Sequence, residues 1–289
     1  MHLVKKSLLP RIAGLLCMFW LGIHSALGAE PGLLWKIEPA AAPASYLFGT
    51  IHTDDARVTD FSPELLQALQ QSKRFIMETL PPRNISVFYM QQGTLRDWLK
   101  AEEIEHVLKQ ADEHAMSDEL ALRMKPWLLA SVFTLPRAQS IFFQDIQLYA
   151  MAQQYHLELQ GLEPADEHFS ALDELSMDEQ LTLLRAVLAL SQQQKEQSFE
   201  AVVQAYVSRD VEQILSADEK WAGMALPNAL WDKVEALLLD RRNARMAQRI
   251  VEQVATAPAF IAVGAAHLAG EGGIVARLRQ TGLKVSPLQ

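Results

Sequence analysis

Apolar and polar positions divide the chain into two strand-rich ends and a helical middle. Runs typical of β-strands occur at 34–38 and 45–49, and the Pro- and Ala-rich segment 39–44 between them suits a hairpin. From about residue 86 to 256, apolar residues recur at three- and four-residue spacing, which predicts helices. The segment 258–289 again has the pattern strand, loop, helix, strand. We therefore expect one sheet built from both chain ends.

Two local patterns refine the helical middle. Ser176 and Glu179 form a capping-box start just before an apolar repeat at 177, 181, 184 and 188. The segment Leu157–Leu162, in contrast, alternates with a period of two and ends at Glu163-Pro164. This alternation predicts a strand that rejoins the sheet.

The predicted fold class is α/β (α+β), with a central mixed sheet and a large helical insertion. We expect a single domain over residues 29–289, whose sheet core comprises 33–85 and 257–289. The insertion runs from about 86 to 256 and carries the returning strand near 157–163.

A six-residue motif occurs once in each strand-rich end. The first copy reads Leu47-Phe48-Gly49-Thr50-Ile51-His52, and the second reads Ala262-Val263-Gly264-Ala265-Ala266-His267. Each copy is an apolar run followed by Gly, two small or apolar residues and His. A predicted helix and strand follow each motif, at 63–72 and 74–80 in the first unit and at 273–280 and 283–288 in the second. The chain thus contains two pseudo-symmetric β-loop-α-β units.

The motif histidines are the leading candidates for chemistry. Gly49 and Gly264 lack a Cβ, so the backbone can turn sharply and approach a neighbour closely. Polar residues at the carboxyl ends of strands in an α/β sheet face the crevice where such folds bind ligands. We expect His52 and His267 to face each other there; the alternative is that each imidazole only bonds a loop carbonyl.

Glu78 is the third candidate, because it ends the apolar strand that follows the first motif. Two histidines and one glutamate form a common three-ligand set for a divalent metal with an open water position. The sequence therefore suggests His52, Glu78 and His267 as metal ligands. The alternative is that Glu78 is a turn residue before Pro81-Pro82.

Arg242 shares a helix face with Val234 and Leu238. An arginine on an apolar stripe needs an anionic partner or contact with water. It could steady Glu78 or stabilise an oxyanion, with the neighbouring Asn243 in a supporting role; otherwise it reaches solvent at the edge of the stripe.

His106 and His114 lie in a charged stretch that indicates a solvated helix face, with a metal site through Glu102 and His106 as the alternative. His156 and His168 indicate ordinary surface or capping positions.

The N-terminus has the features of a cleavable signal peptide over residues 1–28. Lys5, Lys6 and Arg11 precede an apolar run, and Ala26 and Gly28 suit cleavage before residue 29; an uncleaved anchor is the alternative. Cleavage would remove the single cysteine and three basic residues, taking the formal net charge from −9 to −12. Such an acidic chain is a poor candidate for nucleic acid, and we expect no stable membrane span after cleavage.

The combined motifs resemble the TraB/GumN family, which includes the Tiki metalloproteases. They are also similar, in their paired G-x-x-H architecture, to erythromycin-esterase-like and ChaN-like proteins. The resemblance rests on 34–37, the first motif, the strand ending at Glu78, 125–127, 161–163, Arg242-Asn243 with 246–247, and 263–273. It implies a metal-dependent hydrolase fold with His52, Glu78 and His267 at the centre and Arg242 in support. Manganese or cobalt is the implied ion, and zinc is compatible with the same ligands.

The leading hypothesis is an exported, periplasmic or secreted, metal-dependent hydrolase with peptidase-like activity on a peptide or small-molecule substrate. One alternative is a metal-independent, esterase-like hydrolase in which a motif histidine is the general base and Glu78 orients it. Another is a non-catalytic periplasmic protein that binds a metal or ligand. The sequence leaves the substrate and the oligomeric state undetermined.

Overall fold

The computed structural model describes residues 32–137, 140, 143–217 and 226–288, and within them a mixed six-stranded sheet. The strand order is β4-β3-β5-β2-β1-β6. Strands β4, β3, β5 and β2 are parallel to one another. Strand β1 pairs antiparallel with both β2 and β6. Both chain ends supply strands, which confirms the predicted class. The strands are β1 (Leu34–Glu38), β2 (Ser45–Thr50), β3 (Arg74–Met77), β4 (Glu158–Gly161), β5 (Ala259–Gly264) and β6 (Lys284–Pro287).

Helices dominate the segment between β3 and β5, as predicted. Ser176 caps the N-terminus of one of them through a reciprocal capping box with Glu179. A π-helical turn at Ala236–Asp240 joins two others end to end. The α-helices are α1 (Ala56–Thr59), α2 (Pro63–Gln71), α3 (Ala101–Glu113), α4 (Asp118–Arg123), α5 (Pro126–Thr134), α6 (Gln144–Gln154), α7 (Ala165–His168), α8 (Met177–Leu188), α9 (Gln192–Val207), α10 (211–217), α11 (Asn228–Glu235), α12 (Arg241–Val254) and α13 (Ile274–Gln280).

The two predicted units are present as β2-α2-β3 and β5-α13-β6. In the first unit the chain passes β5 to reach β3; in the second it passes β2 and β1, in the opposite direction, to reach β6. Strands β2 and β5 are neighbours, and their outgoing connections run in opposite directions along the sheet, each across the other strand. A crevice at the carboxyl ends of the strands is typical of the point where the direction of the connections reverses. The sheet topology therefore places both motif histidines at this crevice.

Buried apolar residues form two clusters. The sheet-side cluster includes Phe75 and Phe260, whose rings stack at 6.2 Å. The helical cluster includes Phe133 and Leu184, from the packed helices α5 and α8. The continuous helical rod 228–254 contributes Leu237 and earlier residues to the helical cluster and Met246 and later ones to the sheet-side cluster. Arg242 consequently lies at the junction of the two cores.

Two expectations need qualification. His114 is half-buried and stacks on Phe133 at 5.4 Å. It is therefore not the solvated surface residue that the surrounding charged sequence predicts. His106, in the same stretch, is exposed. The predicted signal peptide, residues 1–28, lies outside the described residues. Among the residues that are described, no helix has the length and apolar character needed to cross a membrane.

Candidate active site at the carboxyl ends of the parallel strands

Each of the four parallel strands delivers one ionisable residue just beyond its carboxyl end. His52 follows β2, Glu78 follows β3, Glu163 follows β4 and His267 follows β5. The carboxyl ends of adjacent parallel strands lie along one edge of the sheet. The same edge therefore carries two imidazoles and two carboxylates.

His267 is buried, and its hydrogen-bond partners assign its tautomer. Its Nε2 lies 3.2 Å from Nη1 of Arg242, which can only donate, so Nε2 is the acceptor. The Nδ1–H then donates to Oδ1 of Asn243 at 2.7 Å, and the amide of Asn243 is oriented by its bond to the Gly272 carbonyl at 3.1 Å. Burial lowers the pKa of His267 to about 4, so the ring is neutral at neutral pH.

His52 has the opposite environment. Its side chain is 65 % exposed, and its Nδ1 lies 2.9 Å from Oδ2 of Asp145. The other oxygen of Asp145 accepts a 2.6 Å hydrogen bond from Thr50 Oγ1. The charge of Asp145 raises the pKa of His52 to about 9, so this ring is an imidazolium at neutral pH. Among the described residues, none hydrogen-bonds Nε2 of His52.

A buried polar clamp fixes the loop after β2. Gln144 Oε1 accepts from the Ile51 backbone N–H at 3.0 Å, and its Nε2 donates to the Val58 carbonyl at 2.6 Å. The Tyr206 hydroxyl lies 2.7 Å from the Gly49 carbonyl oxygen and 2.9 Å from Gln144 Oε1. Helices α6 and α9 of the insertion therefore hold the loop that carries His52.

The two motif glycines permit close contacts, as predicted. A Cβ on Gly49 would lie 2.7 Å from Leu268 Cδ1 and 3.1 Å from Ala265 Cα, so the two motifs pack directly against each other. A Cβ on Gly264 would lie 3.2 Å from Glu78 Oε1. The Gly264 N–H donates to that same oxygen at 2.6 Å.

Glu78 is held between the second motif and Arg242. Its Oε1 lies 3.6 Å from His267 Nε2, and its Oε2 accepts a 2.5 Å hydrogen bond from Nη2 of Arg242. Burial acts to raise the pKa of Glu78, but charge interactions with His267 and Arg242 outweigh burial and lower it well below its ordinary value. Since His267 is neutral above about pH 4, Arg242 is the cation that keeps Glu78 ionised at neutral pH.

Arg242 connects the residues of three strand ends. Its Nη2 also lies 2.7 Å from Glu163 Oε2 and 3.1 Å from His168 Nδ1. The Glu163 side chain is fully buried. The π-helical turn before Arg242 leaves the Leu238 carbonyl 3.4 Å from Nη1. Arg242 therefore has its anionic partners inside the fold and does not reach for solvent.

The donor set at this edge suits a divalent cation chemically, because imidazole and carboxylate ligands bind manganese, cobalt and zinc. Among the described residues, one set of three such groups has all ligand atoms within 4.8 Å of one another: Glu78, Glu163 and His168. Arg242 Nη2 already contacts all three. The sequence-predicted trio of His52, Glu78 and His267 is not such a set, because its ligand atoms do not all lie within 4.8 Å of one another.

Sequence reasoning missed four members of this site. Glu163 has the same signal as Glu78, a carboxylate directly beyond a predicted strand, and could have been found by it. The sequence predicts a surface or capping position for His168, whereas its Nδ1 lies against Glu163 and Arg242. Asp145 and Gln144 come from the insertion, and no local pattern marks them.

The fold and the site define a class: an α/β protein with a mixed sheet, a motif histidine after each of the central strands β2 and β5, and a helical insertion between β3 and β5. The chain belongs to the TraB/PrgY/gumN family, whose model matches residues 33–287. Comparisons with curated proteins and with solved structures gave no match.

Proposed function

We propose that this protein is an exported, metal-dependent hydrolase that cleaves a peptide or amide bond. The observation that carries the proposal is that both motif histidines have Nδ1 engaged by an oxygen acceptor, Asp145 Oδ2 for His52 and Asn243 Oδ1 for His267. An imidazole whose Nδ1–H is held in this way binds a metal through Nε2, as in most metal-binding histidines. The imidazolium of His52 would release its Nε2 proton on binding the ion. Glu78 lies beside His267 on the same sheet edge.

In this proposal His52, Glu78 and His267 hold the divalent ion, with manganese or cobalt as the leading candidates and zinc as a further one. When bound, such an ion lowers the pKa of a water molecule and polarises the scissile carbonyl. Arg242 would stabilise negative charge that develops on the substrate oxygen. Asn243 keeps His267 in the tautomer whose Nε2 can act as a ligand.

A cleft beside His52 supports a peptide-like substrate. Its volume is about 680 Å³, within the size range of ligand-binding sites. Apolar side chains such as Leu135 and Phe199 line it together with carboxylates such as Asp54 and Glu196. A lining of this mixed character fits an extended chain with both side chains and polar backbone groups. Export to the periplasm or beyond is proposed on the predicted signal peptide alone.

The test is metal analysis together with a peptide-hydrolysis screen on the mature chain, residues 29–289. We expect the purified protein to retain manganese, cobalt or zinc and to lose both metal and hydrolysis in His52→Ala and in His267→Ala. His106→Ala, which removes an exposed histidine from α3, is the matched control and should keep both. A His52→Ala protein with parental metal content and activity would refute the proposal.

One observation favours a second candidate, a metal-independent hydrolase. His52 and Asp145 form an imidazole–carboxylate pair at 2.9 Å, so Asp145, rather than Glu78, would orient the histidine. Activity that survives exhaustive chelation and is lost in Asp145→Asn would favour this candidate. Activity that disappears with the chelator and returns with Mn²⁺ would exclude it.

A further inference from the structure

Two carboxylates from neighbouring strand ends share the single guanidinium of Arg242. Glu163 accepts from Nε at 3.0 Å and from Nη2 at 2.7 Å, so it contacts one whole edge of the guanidinium. Glu78 accepts from Nη2 alone, at 2.5 Å. Contact along an edge fixes the plane of a guanidinium, whereas a single hydrogen bond does not. The orientation of Arg242 is therefore set by Glu163.

The charges at this point are unequal. Glu78 and Glu163 carry two negative charges against the one buried guanidinium of Arg242. Two other groups face these carboxylates: His168 Nδ1 lies 3.2 Å from Glu163 and 3.8 Å from Glu78, and the half-exposed Arg245 approaches Glu163 Oε1 only to 3.5 Å. If Arg242 had Glu78 as its single partner, the buried pair would be neutral. A neutral pair would offer little attraction to a metal ion, because a cation would have to displace the arginine from its only counter-charge.

We propose that Glu163 is the positioning residue of this site. It fixes the orientation of Arg242 and balances its positive charge, so that Glu78 keeps the excess negative charge that a divalent cation requires. The inference rests on the proposed metal-dependent function. It assigns Glu163 no contact with substrate or metal; Glu163 acts through Arg242.

Two further features agree with this role. The Glu163 side chain is fully buried, and its Oε2 lies 3.2 Å from His168 Nδ1 as well as 2.7 Å from Nη2 of Arg242. The Glu163 N–H also donates to the Glu78 carbonyl oxygen at 2.7 Å. The two carboxylates are thus held side by side by backbone as well as by Arg242.

The first experiment needs no metal. In NMR spectra of the metal-free mature protein, the Arg242 Nε–H should exchange slowly with water in the wild type and in Glu78→Gln, because Glu163 is its acceptor. In Glu163→Gln the protection factor should fall about tenfold, in line with a weaker, uncharged acceptor. Glu167→Gln, which alters the carboxylate paired with Arg245 and Arg249, is the matched control and should retain the protection. Equal protection in Glu163→Gln and wild type would overturn the inference.

The second experiment measures the dissociation constant for Mn²⁺ by calorimetry in a double-mutant cycle. Glu163→Gln should weaken Mn²⁺ binding by about tenfold or more. This is the range for residues that orient a metal site without contacting the metal. In the Arg242→Gln background the same substitution should have little effect, because the residue that Glu163 orients is absent. Glu163→Gln alone retains the Arg242–Glu78 ion pair, so this variant leaves no buried charge without a partner.

The outcomes separate the two proposals. A Glu163→Gln effect of equal size in both backgrounds would contradict positioning through Arg242. A wild-type protein that fails to bind Mn²⁺, cobalt or zinc would refute both the proposed function and the proposal that Glu163 leaves Glu78 with excess negative charge. The NMR result then decides independently whether Glu163 orients Arg242.

Discussion

The two motif histidines have the same sequence context but opposite charge states. His267 is buried beside Arg242 and stays neutral, whereas His52 is largely exposed and paired with Asp145. The motif predicted the position of each imidazole at a strand end. It contained no information on ionisation, because that depends on residues 93 positions away for His52 and 24 to 25 for His267.

We expect Asp145→Asn to lower the pKa of His52 from about 9 towards 6.5, since the charge of Asp145 is the main cause of the increase. A pKa raised on folding adds stability that is fully present below about pH 6.5 and is lost as pH rises through about 9. The difference in melting temperature between wild type and Asp145→Asn should therefore be larger at pH 6 than at pH 10. NMR titration of the ring nitrogens measures the pKa directly. Asp173→Asn, distant in sequence and bonded to Lys125 and Trp127, is the control and should leave His52 unchanged.

At the scale of elements, the strand ends and the motif loops were predictable, but the clamp on the first loop was not. Period-two runs and the repeated Gly–His spacing located β2, β3, β5 and the strand near 157–162. The clamp joins the loop to α6 and α9, which lie far along the chain in a helical region. Helical periodicity shows which face of a helix is apolar; it does not show which loop a buried glutamine or tyrosine will contact.

Tyr206→Phe tests the clamp. Loss of the hydroxyl removes the contacts with the Gly49 carbonyl and Gln144, both buried, and should lower the free energy of unfolding by about 1–3 kcal/mol. Tyr46→Phe is the matched control: its hydroxyl makes one exposed 3.4 Å contact with Gln71, so the change should stay within about 0.5 kcal/mol. Denaturant unfolding followed by circular dichroism measures both. Equal values for the two variants would show that the loop does not depend on α9.

At the scale of the whole molecule, the sheet cannot be assembled without the last segment of the chain. Strand β5 lies between β3 and β2, and β6 covers β1. The prediction that both chain ends build the sheet came from the doubled motif. The position of β5 at the centre could not be predicted from one sequence, since strand order follows from long-range pairing rather than from local pattern.

A chain ending at residue 256 should therefore fail to fold cooperatively. It would lack β5 and β6 and leave β2 and β3 without their shared neighbour. Calorimetry should show no sharp unfolding transition, and hydrogen exchange should show no protected core in the remaining strands. A truncated protein that melts cooperatively would mean that the helical cluster folds on its own.

Strand β5 is synthesised after β2 and β3, and this order determines when the site can form. Glu78 and His52 leave the ribosome before the second motif, because the Gly264 N–H that anchors Glu78 is made 186 positions after Glu78 and His267 follows it. A nascent chain that ends before Gly264 cannot contain a complete centre. If the protein hydrolyses peptides, it therefore stays inert during synthesis until β5 and the second motif have joined the sheet.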